Sequence, residues 1–237
     1  MALRLSAFIL SCLLVSAQEI RVVESEKEIV IFRGNTDILT YHKTEVPPPE
    51  GAKETYRRSG FIHPLKSPQG GIVTGIHPSD HLHHLGLWHA WVKTKHGKDQ
   101  PDFWNLGKES GRVRFLKLHK RNATGFTVEQ EQVAFKGGER EETIILKEAL
   151  SISVKATKEE NFIDYHLTQK NVSNERLDLP VYRYGGPLVE FEEQQLPHLC
   201  WKKARRQSRH SCRLVCYFWA DQQRRCHCHD DGASKKL

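Results

Sequence analysis

Between Val113 and Thr168 the chain alternates apolar and polar residues in run after run, with short polar breaks between the runs. Successive side chains on a β-strand point to opposite faces, so this period of two demands strands with one buried face. Val113-Arg114-Phe115-Leu116-Lys117-Leu118 opens the series. Phe126 to Phe135 follows, with Val128 and Val133 among its apolar positions. Lys136-Gly137-Gly138-Glu139 supplies hairpin-turn chemistry. Thr143 to Leu146, Leu150 to Ala156 and Phe162 to Thr168 continue the pattern as three further strands. Glu139 to Leu150 also has a helix-forming composition, but the β-branched Thr143-Ile144-Ile145 favours a strand there.

The N-terminal half reads the same way with less regularity. Ile20 to Val23, Ile29 to Phe32 and Ile38 to Tyr41 are strands, the last two separated by the turn Arg33-Gly34-Asn35. Pro47-Pro48-Pro49-Glu50-Gly51 is an extended surface segment. Ser59 to Leu65, Ile72 to Thr74 and Leu87 to Val92 are shorter strand candidates, with a turn at Ser67 to Gly71 and a loop from Gly75 to His84. The expected fold class is all-β, an antiparallel β-sandwich.

Composition locates this body within the chain. Arg4, the apolar stretch Ala7 to Val15 and the small residues Val15-Ser16-Ala17 read as a signal peptide cleaved after Ala17. The stretch is shorter than the about 20 residues that span a bilayer. No later window is apolar enough to cross, so the mature chain is expected to be secreted or periplasmic and off the membrane. The formal charge is +7, but residues 1–193 carry 26 basic and 26 acidic side chains. The whole excess lies in the last residues, so the charge is a tail property and nucleic acid is not an expected partner. Cys12 lies in the leader, and Cys200, Cys212, Cys216, Cys226 and Cys228 all lie in the tail. The body therefore has no disulfide framework despite its expected export. The domain reading is a leader at 1–17, a sandwich at 18–186 and an unrelated tail at 187–237.

That tail has neither strand nor helix periodicity. Cys212, Cys216, Cys226, Cys228 and His229 suggest zinc, but Cys226-x-Cys228 is tighter than a paired zinc knuckle. Read one nucleotide out of step, the codons of Cys226-His-Cys-His admit Ala, Val, Ile and Thr, an ordinary strand composition. A slipped frame over about the last 45 residues accounts for the tail, and resequencing the gene tests it.

Chemistry concentrates between Arg57 and Asn105. Five of the fourteen histidines, His77, His81, His83, His84 and His89, fall within thirteen residues, with Trp88, Trp91 and Trp104 close by. In an extended Asp80-His81-Leu82-His83-His84 segment, His81 and His83 would share a face and His84 would take the other. Imidazoles suit acid–base chemistry or a divalent metal, and Asp80 could orient one of them. Indole rings stack on the apolar faces of sugars, whose hydroxyls bond to His, Asp and Arg. On this reading His63, His81, His83 and His84 are the candidate catalytic residues. Arg58, Asp80, Trp88, Asp102, Trp104 and Asn105 are the candidate substrate-binding residues. His81 and His83 are the candidate metal ligands. Gly75, His81 and His83 also fit the first motif of metal-binding cupins, although Leu87 and Trp88 stand where that motif has Glu.

Tyr56-Arg-Arg-Ser-Gly-Phe-Ile-His-Pro-Leu65, Ser67-Pro-x-Gly-Gly71, His77-Pro-Ser-Asp-His-Leu-His-His-Leu-Gly-Leu-Trp88 and Asp102-Phe-Trp-Asn105 resemble a family of exported bacterial proteins, the PmoA-like family labelled methane oxygenase PmoA. Glu148 and Phe162-Ile-Asp-Tyr-x-Leu-Thr168 also look like that family. The resemblance runs from about Glu19 to Gly186 and stops where the family continues with further strands, which leaves the sandwich C-terminally incomplete. It implies a galactose-mutarotase-like supersandwich and a setting of carbohydrate breakdown. The oxygenase label does not transfer, because such a subunit spans the membrane many times.

The expected function is therefore an exported carbohydrate-active or carbohydrate-binding protein with carbohydrate as its partner. The alternatives are a metal-dependent cupin-like enzyme, and a non-catalytic or inactive truncated member. The sequence leaves the cofactor beyond a divalent metal, and the oligomeric state, open.

Overall fold

A computed structural model of the chain describes residues 19–136, 141–182 and 184–190, and the backbone alone of 206–208 and 211–219. The expected signal peptide, the tip of the Lys136 turn and the cysteines at 200, 226 and 228 lie outside the described residues.

Strands β1 (Ile20–Glu24), β2 (Glu28–Arg33), β3 (Thr36–His42), β4 (Phe61–Leu65) and β5 (Leu87–Ala90) occupy the first half of the chain. β6 (Lys95–His96) is a two-residue strand. β7 (Gly111–Arg121), β8 (Gly125–Lys136), β9 (Glu141–Ala156) and β10 (Glu160–Asn171) are the long strands that the alternation predicts. β11 (Leu177–Asp178), β12 (Gly186–Val189), β13 (Arg206–Ser208) and β14 (Ser211–Trp219) follow.

Two six-stranded sheets form, in the orders β1-β2-β3-β4-β5-β12 and β13-β14-β10-β9-β8-β7, with β11 and β6 as a separate pair. Every strand pairing is antiparallel. The sheets pack face to face. Ile29, Ile31, Leu39, Tyr41, Ile62 and Leu87 of the first meet Val128, Leu150, Ile152, Ile163, Tyr165 and Leu167 of the second in one buried cluster. The fold is thus the expected all-β sandwich of antiparallel sheets.

Three expectations change. Thr143–Leu146 and Leu150–Ala156 are one continuous strand, β9, because Lys147-Glu148-Ala149 holds no turn residue and β9 is paired along both edges. Ile72–Thr74 forms only the single bridge Lys66↔Ile72. The boundary after Gly186 falls inside the sandwich: Gly186–Val189 pairs with Ala90–Leu87 as the sixth strand of the first sheet. Further on, the backbone of Ser211–Trp219 lies beside Thr168–Glu160 of β10 in continuous register.

A second buried cluster lies beside the first. It unites Phe61, Leu85, Trp88, Phe103, Trp104 and Leu106 with Val113, Ala134, Ile145 and Leu146. This cluster is the floor of the histidine-rich region.

Candidate functional site

The histidine loop is a tongue whose root belongs to the first sheet. Ile76 and Leu85 form an antiparallel bridge, and the His77 amide donates to the His84 carbonyl at 2.8 Å. Gly86 donates to Gly75 (2.9 Å), Gly75 to the Glu190 carbonyl (3.0 Å) and Glu190 to Gly86 (2.7 Å), so the root is tied to the end of β12. At Gly86 the backbone turns with φ +59°, and a Cβ there would lie 2.2 Å from the Ile62 carbonyl oxygen. Only glycine meets both demands.

Between those ties the segment is not extended. The His81 amide donates to Pro78 and the His84 amide to His81, each at 2.9 Å, which makes two successive tight turns. His77, with φ +53°, places Nδ1 2.5 Å from the Leu82 carbonyl and braces the tongue from inside. The expected division of His81 and His83 from His84 is therefore corrected, because the turns bring all three rings together. The ring centroids are 5.8 Å apart for His81 and His83, 4.8 Å for His81 and His84, and 4.6 Å for His83 and His84.

His84 is the best-held member. Its Nδ1 lies 2.7 Å from Glu190 Oε2. With a carboxylate accepting at that position, Nδ1 carries a proton and Nε2 of the neutral ring is left as the basic nitrogen. The ring stands perpendicular to Trp104 (centroids 5.9 Å apart, 88°) and 6.0 Å from Trp88. His83 is half-buried, and burial together with the neighbouring His84 and His81 pushes its pKa down to about 4. It is a neutral donor and acceptor at neutral pH. His81 is exposed and pairs with Asp80 at 2.8 Å, an imidazole contact that lowers the Asp80 carboxyl pKa.

Four residues expected to touch substrate are buried instead, and three of them, Trp88, Arg58 and Asp102, pack behind or cap the fourth, Trp104, which is 6% exposed. Trp88 has no exposed surface, and its ring packs against Trp104 at 4.5 Å and beneath the Arg58 guanidinium at 4.7 Å. Arg58 is 1% exposed and donates through Nη2 to the His89 carbonyl at 2.8 Å. Asp102 is 3% exposed, and its carboxylate accepts from the amides of Trp104 and Asn105, the Asn105 side chain and Lys108 Nζ. These are positioning residues. Asp102 caps the turn that presents Trp104 and Asn105, while Arg58 and Trp88 back the Trp104 ring. Asn105, another expected substrate contact, is half-buried, with its side-chain amide donating to Asp102.

His63 does not join the three-ring group. Its Nδ1 lies 3.0 Å from Thr74 Oγ1, and its carbonyl lies 2.6 Å from His42 Nε2. Burial, with His42 and His77 nearby, takes its pKa to about 4. His89 is buried on the far side of β5 from Trp88, 3.5 Å from Glu148.

Glu148 centres a polar network that the residue types alone do not announce. It sits on the inward face of β9 between Leu146 and Leu150, fully buried. Register places Gln130 and Gln169 directly opposite it on the two neighbouring strands. Gln130, Gln132 and Gln169 donate to its oxygens at 3.0, 2.6 and 2.6 Å. Burial alone would raise its pKa, but His89 and the amides of Gln169 and Gln132 outweigh burial and hold it below the ordinary value. Burial brings Arg58 down to about 10 against the opposing pull of the buried Glu148 carboxylate. Tyr41 donates to Gln130 Oε1 at 2.6 Å and Trp91 to Gln169 Oε1 at 3.1 Å, so the network ties the first sheet to the second.

The sequence reading gave Glu148 no site role and did not single out Glu190. Glu148 leaves a legible signal, since its position has the parity of Leu146, Leu150, Ile152 and Val154. Glu190 leaves none, because its place beside His84 depends on the β12–β5 pairing across about a hundred residues. Among the described residues no three His, Cys, Asp or Glu side chains converge as metal ligands. His81 and His83, the candidate ligands, lie beside His84 without forming such a group.

A protein-family model matches residues 28–195, described as Family of unknown function (DUF6807). No curated protein and no solved structure matches the chain.

Proposed function

We propose, from the premise that the chain belongs to the DUF6807 family of unknown function, that it is an exported carbohydrate-binding protein able to move a proton on the bound sugar. The observation that carries this reading is the convergence of three imidazoles beside an indole, with one imidazole fixed by a carboxylate. His81, His83 and His84 lie within 4.6–5.8 Å of one another, and His84 is held by Glu190 and set against Trp104.

Each part suits a sugar for a physical reason. The exposed ring of Tyr184, 6.4 Å from the buried Trp104, offers aromatic surface to the apolar face of a pyranose. Neutral His83 and the Asn105 amide offer hydrogen bonds of both kinds to hydroxyls without the desolvation cost of a full charge. The His84–Glu190 pair supplies a base whose tautomer is fixed, and which becomes a stabilised imidazolium when it takes a proton. Proton transfer at a sugar hydroxyl or ring carbon is the chemistry this pair performs.

Glycan-array screening of the purified protein, followed by calorimetry on the hits, tests the proposal. Saccharide binding is expected, with a loss of about tenfold or more in His84→Ala and Glu190→Ala, the size of one charge-assisted hydrogen bond. Folded wild-type protein that binds no saccharide overturns it.

A further inference from the structure

Both roots of the histidine tongue rest on one side chain outside it. His63, on β4, meets the limb that enters through Thr74 and the limb that leaves through Gly86. Its Nδ1 is 3.0 Å from Thr74 Oγ1. A Cβ at Gly86 would stand 3.1 Å from the His63 Cβ, so the leaving limb packs directly on it. The entering limb is also stitched to β4 by backbone. The Val73 amide donates to the Leu65 carbonyl at 2.8 Å, and the Leu65 amide donates to Thr74 Oγ1 at 3.0 Å. The next residue, Gly75, donates to the carbonyl of Glu190, whose carboxylate holds His84.

The direction of the His63–Thr74 bond follows from counting hydrogens. Thr74 is fully buried. Its Oγ1 already accepts from the Leu65 amide, and among the described residues His63 Nδ1 is the acceptor its own hydrogen can reach. His63 is therefore neutral, with its proton on Nε2. A proton gained at Nδ1 turns that acceptor into a donor and leaves the Thr74 hydrogen buried without a partner, which is costly. The titratable groups that bear on His63 are His42 from β3, whose ring is 3.5 Å from Glu28 of β2, and His77 from inside the tongue. Burial first, then both imidazoles, oppose a charge on His63, while a hydrogen bond to the Thr74 backbone favours one.

We propose that the His63–Thr74 bond is a proton-operated latch on the tongue, closed while His63 is neutral and released in acid, so that His81, His83 and His84 separate as the pH falls. His63, which stands outside the three-ring group, is then a positioning residue that acts on it through both roots. The latch goes beyond the carbohydrate reading and does not depend on it. The closed tongue keeps His63 at about 4, whereas a released ring returns toward the ordinary value near 6.5. Release therefore takes up a proton. It becomes more favourable as the pH falls from about 6.5 to about 4, and gains nothing further below that.

Amide hydrogen exchange, corrected for intrinsic rates, measures the release directly. Between about pH 7.5 and about pH 4.5, opening at the Gly75, His77 and Gly86 amides is expected to rise about tenfold or more relative to the amides of β9. His63→Gln has no titratable ring and loses that rise, whereas Thr74→Ser keeps the hydroxyl and retains it. An equal rise in His63→Gln, or no rise in the unaltered chain, overturns the latch. Imidazole nitrogen chemical shifts of the unaltered chain give a second check that needs no variant. At about pH 7.5 His63 is expected to show a bare Nδ1 and a protonated Nε2. A ring protonated at Nδ1 overturns the latch as well.

Discussion

His63 and His83 carry a pH signature that follows from their surroundings. Burial, with neighbouring imidazoles, puts both at about 4 in the folded chain, below the ordinary value near 6.5. The unfolded chain therefore binds more protons than the folded one between these values, and stability rises with pH across that window. Above about 6.5 both rings are neutral in either state and the contribution is complete; below about 4 it is gone. Urea midpoints measured at about pH 7.5 and pH 4.5 are expected to fall on acidification, and to fall less in the His63→Gln/His83→Gln double variant. An equal fall in both proteins sinks this account. At the same scale the sequence told residue types but not their roles. Trp88, Arg58 and Asp102 look like ligand contacts in the one-dimensional list, yet all three are buried. Whether a side chain faces a ligand or props up the residue that does is set by which neighbours cover it, and those neighbours come from distant parts of the chain.

Among the elements, the tongue from Ile76 to Leu85 depends on the strand beside it. Gly86 is the point where the tongue returns to β4, with its Cα against the Ile62 carbonyl. Gly86→Ala would add left-handed strain of about 1–2 kcal/mol and a backbone clash, and a total loss of about 3 kcal/mol or more is expected in chemical denaturation. A midpoint shift smaller than the strain alone counts against the close approach. β9 and β10 were legible because each buries alternate residues along most of its length, and burial turns the period of two into a readable code. β12 was not legible. Four residues, Gly186–Val189, are too few to show a period, and they become a strand only because the open edge of β5 supplies the hydrogen-bonding partners.

For the molecule as a whole, β10 is the strand whose outer edge is covered from the C-terminal part of the chain. Asn161–Asn171 pair with β9 on one side, and Glu160–Thr168 pair with the backbone of Ser211–Trp219 on the other. A chain ending at residue 205 exposes that edge, and a long bare edge is a template for pairing with another chain. Such a truncation is expected to elute from a sizing column as dimers or larger species while the full chain does not. A truncated chain with the elution volume of its own monomer mass would show that β10 needs no cover. The buried network around Glu148 belongs to the same scale. Gln130, Gln132, Gln169, Tyr41, Trp91, His89 and Arg58 reach it from both sheets, so one carboxylate helps to set how the two layers are aligned.

By itself the sequence determined the all-β class, the long hairpin strands and the place on the chain where histidine and tryptophan gather. These are local properties: alternation, turn residues and composition act between near neighbours. The tertiary structure alone decided that His84 meets Glu190, that Trp88 supports Trp104 rather than a ligand, and that Gln130 and Gln169 flank Glu148. Those contacts join residues brought together by strand pairing and sheet packing. Their partners are fixed by register and burial across the fold, which no short window of residues contains.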